Sequence, residues 1–254
     1  MTPELHEVAE KAEAHYRESL RFLGDSVSLV EDFVHLYQRA LDIAAGSPLA
    51  NQPEHLLCAE FLMATRYYLV TAVLACFRGH IVDVYPGTRQ AIEQAGFAAL
   101  IKRRPDLAIV WRDASRNKAT YNEYLNSFRS KELYPASHPQ LNELRSRYDV
   151  CARQTHPSIH SFAGRSRMEE DDRSFTLKFY YFQVSSDGSE PVGSFLWILN
   201  THMLIANVFR EALVDVLAAD AQAYEVLMNA IEARLGHHTA QWLEKIPALR
   251  PQPK

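Results

Sequence analysis

Glycine is scarce in this chain, and the phosphate-binding motifs that depend on glycine are missing. Nine of the 254 residues are glycine, and neither G-x-x-x-x-G-K nor G-x-G-x-x-G occurs. Those motifs need glycine to bring backbone N–H groups against a phosphate, so the sequence excludes a P-loop and a dinucleotide-binding fingerprint. The G-x-S-x-G of serine hydrolases and the H-E-x-x-H of zinc proteases are absent as well. No cofactor is expected.

Cysteine is also scarce, and the chain carries no large excess of either charge. Cys58, Cys76 and Cys151 are far apart and form no C-x-x-C pair, which is typical of reduced cysteines in a cytoplasmic protein. Cys151 lies next to Arg153 and His156, so it is a candidate nucleophile with a lowered pKa. The formal net charge is −4, but residues 101–167 hold 13 Lys and Arg against 6 Asp and Glu. This basic segment is expected either to attract an anion or to form solvated helix faces.

Long uninterrupted apolar runs are missing too. The most apolar run, residues 192–209, contains Asn200, His202 and Asn207, which favours a buried helix over a membrane span. The N-terminal stretch MTPELHEVAEKAEAHY is acidic and polar, unlike a signal peptide. The sequence therefore predicts a cytoplasmic protein without a membrane partner.

Helical periodicity dominates the chain and predicts a mostly α fold. Apolar residues recur at helical spacing over about 3–23, 54–79, 88–103, 139–155, 193–219 and 221–235. No linker or repeat of fixed period divides the chain. We therefore predict one domain over residues 1–254, a bundle of about eight to ten helices.

One segment departs from this periodicity and predicts a small β-hairpin insertion at about residues 160–185. RSFTLKFYYFQV, residues 173–184, alternates apolar and polar positions, and HSFAGRSR, residues 160–167, is the expected opposite arm. MEEDD, residues 168–172, is the expected turn. The aromatic run at 179–182 would present apolar surface on both faces of its strand, which favours cover by helices or by a second subunit. We therefore expect a homodimer.

The run CARQTHPSIHS, residues 151–161, is the main candidate for a catalytic site. Pro157 favours a helix end near Thr155, so Arg153, His156 and His160 are expected to converge just beyond that end. Arginine stabilises anionic charge and histidine transfers protons near neutral pH. Together they suffice to cleave RNA without a metal, with Arg153 stabilising the phosphorane, His160 as general acid and base, and His156 as an accessory.

The same residues resemble a known motif. The spacing from Arg153 to His160 fits the R-x(4–6)-H motif of the HEPN superfamily, although Gln154 stands where active members usually have Asn. Residues 78–111 also look like the central segment of bacterial helical families placed near HEPN. The resemblance covers about residues 54–165 and implies an all-helical bundle that dimerises and cuts RNA, as in defence or toxin systems.

Two other interpretations of this run remain open. Arg153 and the two histidines are also suited to binding the last carbonyls of a helix and the backbone of the following turn. His156 and His160 are spaced i, i+4 and would ligate one metal ion if a third ligand, His80 or His202, were near.

A second polar set lies on helices whose other residues are apolar. Its members are predicted to line a ligand pocket between the helices at 54–79 and 88–103: Glu60, Arg66, His80, Arg89 and Glu93. Arg89 and Glu93 are spaced i, i+4 and should pair along the helix. The alternative is an ion-pair network that fixes the helix register. The sequence thus leaves two functions open, a HEPN-like ribonuclease or toxin-like RNA-binding protein, and a non-catalytic helical protein that binds a ligand or partner.

Overall fold

The chain folds as an all-helical bundle in a computed structural model, which describes residues 3–155, 166–171, 174–179, 182 and 188–249. The helices are α1 Pro3–Leu23, α2 Ser28–Gly46, α3 Pro53–Phe77, α4 Val84–Arg103, α5 Leu107–Asp113, α6 Lys118–Ser127, α7 Ser130–Leu133, α8 Pro139–Thr155, α9 Ser189–Ala212, α10 Val214–Leu217 and α11 Ala221–Lys245. Short 3-10 turns lie at Gly24–Val27, Ile81–Asp83, Ala218–Asp220 and Pro247–Leu249.

Three long helices, α3, α4 and α9, form the centre of the bundle. Each of the three packs against the other two, and α8 covers α4 and α9 from one side. Helix α2 packs against α3 and α11 on another side. Buried side chains such as Phe33, Leu62, Ile92, Phe195 and Ile205 join these helices into one hydrophobic core. The described core residues lie in the helices or in the turns between them.

Local sequence signals explain where several helices begin and end. Pro53 is the first residue of α3, a position whose N–H has no acceptor within the helix, so its absence in proline costs nothing. Gly79 follows α3 with a φ of 78°, a backbone conformation that glycine adopts without strain. Asn117 caps α6, because its Oδ1 accepts hydrogen bonds from the N–H groups of Ala119 at 2.9 Å and Thr120 at 3.1 Å. Helix α4 begins earlier than the predicted residue 88, because Pro86 lies in its first turn, where proline is tolerated.

The predicted β-hairpin insertion at about 160–185 is wrong in its first arm and its turn. Among the described residues of that region, β1 Ser166–Asp171 pairs antiparallel with β2 Ser174–Phe179. β2 lies within the predicted second arm, but β1 shares only two described residues, Ser166 and Arg167, with the predicted first arm, and it includes Met168 to Asp171 of the predicted turn. The acidic residues from Glu169 to Asp171 therefore do not break the strand, and the described core is helical without a β layer.

Among the residues that the structure describes, two helices, α3 and α9, are long and apolar enough to cross a membrane by length and composition. Within the bundle, 67% of the apolar window of α9 is buried, which is the environment of a core helix. Only 44% of the corresponding window of α3 is buried. One side of α3 therefore remains uncovered.

Candidate functional site

A cluster of polar side chains joins α4 to α8 and is built around Arg89. The Nε of Arg89 donates to Glu93 Oε1 at 3.3 Å, one turn further along α4. Its Nη2 donates to the Tyr148 hydroxyl at 2.8 Å, and its Nη1 donates to Thr155 Oγ1 at 3.4 Å. All three nitrogens of the guanidinium therefore contact other side chains of this chain. We call Arg89, Glu93, Tyr148 and Thr155 the α4–α8 cluster.

The cluster lies at the edge of the core, where charges are only partly hydrated. The side chains of Arg89 and Glu93 are 23% and 20% exposed. Burial lowers the pKa of Arg89, whereas Tyr148 and Glu93 together raise it by more than burial lowers it. The net shift is upward, so the guanidinium stays charged. Burial, followed by the charge of Glu93, raises the pKa of Tyr148, which keeps its hydroxyl protonated. The cluster is thus a cation, an anion and neutral hydroxyl groups.

The ring of Tyr148 is held on several sides. The guanidinium carbon of Arg89 lies 4.9 Å from its ring centroid and that of Arg145 lies 5.6 Å away, both within cation–π range. The ring of Tyr134 is 5.8 Å from that of Tyr148. Gly96 of α4 makes room for Tyr134, because a Cβ at Gly96 would lie 3.0 Å from its ring. These contacts fix α8 against α4.

The thiol of Cys151 lies on the buried side of α8 beside this cluster. Its side chain is buried, and burial raises its pKa to about 12, although Arg89 acts in the opposite direction. A thiol with such a pKa carries almost no thiolate at neutral pH. Cys151 is therefore a packing residue, and the nucleophile suggested by its basic neighbours is not supported.

Arg153 lies in the last turn of α8, and its side chain is exposed. Two residues later, Thr155 receives the hydrogen bond from Arg89. Arg89 of α4 therefore contacts the same last turn of α8 that carries Arg153. His156 and His160, the other two predicted catalytic residues, lie outside the described residues.

The five predicted pocket residues do not meet at one site. Only Arg89 and Glu93 contact each other, and their partners are on α8 rather than α3. Arg66 Nη1 donates to Gln38 Oε1 of α2 at 2.5 Å, and Glu60 is exposed on α3. His80 lies after α3, where it lines a cavity of about 510 Å³ together with residues of α1. These five residues thus belong to three separate surfaces.

His202 is sealed in the core and has the environment of a structural histidine. Its Nδ1 lies 2.9 Å from the Tyr37 hydroxyl, and its Nε2 has no hydrogen-bond partner among the described residues. Burial lowers the pKa of His202 to about 3, so the ring is neutral at physiological pH. Across the residues that the structure describes, no group of three or more His, Cys, Asp or Glu side chains could hold a metal ion.

Many cations of the basic segment contact carboxylates. The ion pairs are Lys102–Asp215, Arg104–Asp106, Arg112–Asp113, Arg116–Asp113, Lys131–Glu132, Arg145–Asp149 and Arg147–Glu143. Most of these pairs are exposed and close in sequence, which is the arrangement expected for solvated helix faces. At least seven of the 13 cations of residues 101–167 therefore contact carboxylates, and Arg153 lies at the end of α8, which carries two of these pairs.

Sequence reasoning missed Tyr148 and Thr155 as members of the cluster. A signal for them exists, because Leu141, Leu144, Tyr148, Cys151 and Thr155 recur at intervals of three and four residues and share one face of α8. That periodicity predicts a face turned toward the core, but it does not name the residues of α4 that meet it. Comparison of the chain with protein-family models, with curated proteins and with solved structures finds no match.

Proposed function

We propose that this chain is a HEPN-like, metal-independent ribonuclease. The observation that carries the proposal is the last turn of α8, which carries the exposed Arg153 and is held to α4 by the hydrogen bond from Arg89 to Thr155. Thr155 directly precedes His156 in the sequence, so this turn leads into the segment that carries both histidines. Arg153 stabilises the phosphorane charge, His160 transfers the proton, and His156 is an accessory.

Arg89 has a positioning role in this proposal. Its described contacts are to side chains of the chain itself, and two of them hold α8. Through Thr155 it fixes the last turn of α8, on which Arg153 is mounted. Positioning of this kind matters because small displacements of a catalytic group reduce the rate strongly.

The experiment is RNA cleavage by the purified chain in the presence of a chelator, with single-stranded and structured RNAs as substrates. We expect cleavage by the wild type, a loss of about 100-fold or more for His160→Ala, and a similar loss for Arg153→Ala. His35→Ala on α2 and Arg17→Ala on α1, which change exposed side chains away from α8, serve as matched controls and should retain activity. Absence of cleavage from every RNA, or equal activity of all variants, would overturn the proposal.

A second candidate function is a non-catalytic helical protein that binds a partner. The observation that favours it is the uncovered side of α3, whose apolar window is only 44% buried. The α4–α8 cluster also agrees with this candidate, because the described hydrogen bonds among its own side chains fix the register of α8 against α4. An inactive protein whose partner binding depends on α3 would distinguish it from the ribonuclease.

A further inference from the structure

Helix α3 packs against α1, α2, α4, α5 and α9, but one face of it remains exposed. Its core side includes Leu57, Leu62 and Leu69, which are buried. On the opposite side Leu56, Met63, Tyr67 and Val70 are each between 37% and 64% exposed. Their spacing of three, four and seven residues places them in one row along the helix, with the exposed Glu60 between them. We call Leu56, Glu60, Met63, Tyr67 and Val70 the α3 row.

Four exposed apolar side chains aligned on one helix face differ from the scattered apolar residues of an ordinary surface, and such alignment is typical of interaction sites. We propose that the α3 row packs antiparallel against the α3 row of a second copy of this chain, around a twofold axis at Met63. In such an isologous contact, residues at equal distances before and after Met63 lie opposite each other. This surface is distinct from the hairpin region that the sequence suggested for dimerisation.

The residues that this symmetry places together are complementary. Glu60 lies three positions before Met63 and Arg66 lies three positions after it, so the contact contains two reciprocal ion pairs between Glu60 and Arg66. A parallel arrangement would instead place Glu60 against its own copy and Arg66 against its own copy. Like charges at these positions would repel, so the charge pattern selects the antiparallel arrangement.

Arg66 is already oriented for this contact within its own chain. Its Nη1 donates to Gln38 Oε1 at 2.5 Å, and Gln38 Nε2 donates to Asp42 Oδ1 at 2.7 Å. A guanidinium has five N–H donors, so this bond orients the side chain and leaves donors for a carboxylate of the second copy. Less side-chain entropy is lost when a group is preoriented in this way.

The apolar pairs also match in size. Tyr67, four positions after Met63, lies opposite the small Ala59, and Leu56 lies opposite Val70. Met63 meets its own copy at the axis, where an unbranched thioether adapts to the space available. The row spans only about 21 Å along one helix. A contact of this length buries less surface area than a standard protein–protein interface. We therefore expect a reversible dimer with a dissociation constant of about 1–50 µM.

The test is sedimentation of the full chain over a concentration series that reaches about 100 µM. We expect a concentration-dependent dimer for the wild type, and association at least about tenfold weaker for Glu60→Arg and for Arg66→Glu. An equimolar mixture of these two variants should dimerise again, because each supplies the charge that the other lacks. The double variant should also dimerise. Restoration by mixing depends on the contact and is not produced by a folding defect.

Cross-linking locates the axis independently. Met63→Cys should give a disulfide-linked dimer under mild oxidation, because Met63 meets its own copy. Val226→Cys on α11, at a residue 63% exposed, is the matched control and should give no disulfide-linked dimer. The native cysteines are buried and should not contribute. A wild-type monomer at every concentration, or a mixture that does not dimerise, would overturn the proposal. So would a monomer that binds phosphatidylcholine–phosphatidylglycerol vesicles through Met63, since the row would then face lipid.

Discussion

The hydroxyl of Tyr148 accepts a hydrogen bond from Arg89 at 2.8 Å, and this bond joins α8 to the central helix α4. It is the shortest of the described bonds of that guanidinium. Because Tyr148 also packs against Tyr134, one side chain connects a charged network to the aromatic contacts around it. The Tyr148 hydroxyl oxygen should therefore contribute measurably to the stability of the α4–α8 contact.

Tyr148→Phe removes that oxygen and keeps the ring. We expect the free energy of unfolding to fall by about 1–2 kcal/mol, because a half-buried charged donor loses its acceptor. Urea denaturation followed by circular dichroism measures the change. Tyr121→Phe removes a hydroxyl from an exposed tyrosine of α6 and should change stability by less than about 0.5 kcal/mol. Equal effects of the two variants would show that the bond contributes nothing.

Gly96→Ala should destabilise the protein, although alanine favours a helix. The added Cβ would lie 3.0 Å from Tyr134 Cε1, and Tyr134 is buried with its hydroxyl donating to the Ile92 carbonyl at 3.3 Å. The ring cannot move away freely, so we expect a net loss of about 1–2 kcal/mol. Gly236→Ala in α11 is the control, because a Cβ there meets nothing within 4 Å. It should stabilise the protein by about 0.5–1 kcal/mol. Thermal denaturation of both variants decides the sign.

His202 should make the protein less stable at acidic pH. Burial lowers its pKa from 6.5 to about 3, so below pH 6.5 the unfolded chain binds a proton that the folded chain does not. Its contribution is present in full above pH 6.5 and is lost as the pH falls toward 3, by about 1.4 kcal/mol per pH unit. His202→Gln should flatten this slope by one proton. Urea denaturation at several pH values measures the slope, and an unchanged slope would contradict the prediction.

The three cysteines should be unreactive in the folded protein. All three side chains are buried, and burial raises the pKa of each thiol to about 12. We expect negligible reaction with an aromatic disulfide reagent at pH 8 and three equivalents of reaction after denaturation. Met63→Cys provides a positive control, since its exposed thiol should react in the folded state. Rapid reaction of a native cysteine would show that the core opens locally.

Periodicity is sufficient to predict the helices, and its failures have physical causes. It predicts a helix over residues 139–155, where α8 forms, because apolar residues recur along one face. It places the start of α4 too late, because DVYPGT has the composition of a turn, whereas Pro86 is accommodated in a first helical turn. The predicted hairpin has the wrong first arm and turn, because residues 169–171 have the acidic composition of a turn although they lie in β1.

The candidate site is predictable only where its contacts are local. The pairing of Arg89 with Glu93 follows from their spacing along one helix and is confirmed by the 3.3 Å contact. The contacts from Arg89 to Tyr148 and Thr155 join residues 59 and 66 positions apart, and they depend on how α4 and α8 pack. Spacing carries no information on such packing, which is why it groups Glu60, Arg66 and His80 with a pair they do not contact.

Leu62 and Met63 are neighbours on α3, yet one is fully buried and the other is 54% exposed. Substitutions at the two positions should therefore report on different properties, because Leu62 contributes to the folded core and Met63 does not. In a series of single substitutions along α3, those on the buried face should change the free energy of unfolding, and those on the exposed face should change the dissociation constant of the dimer. This one helix thus lets the tertiary and quaternary contributions of a single sequence segment be varied independently.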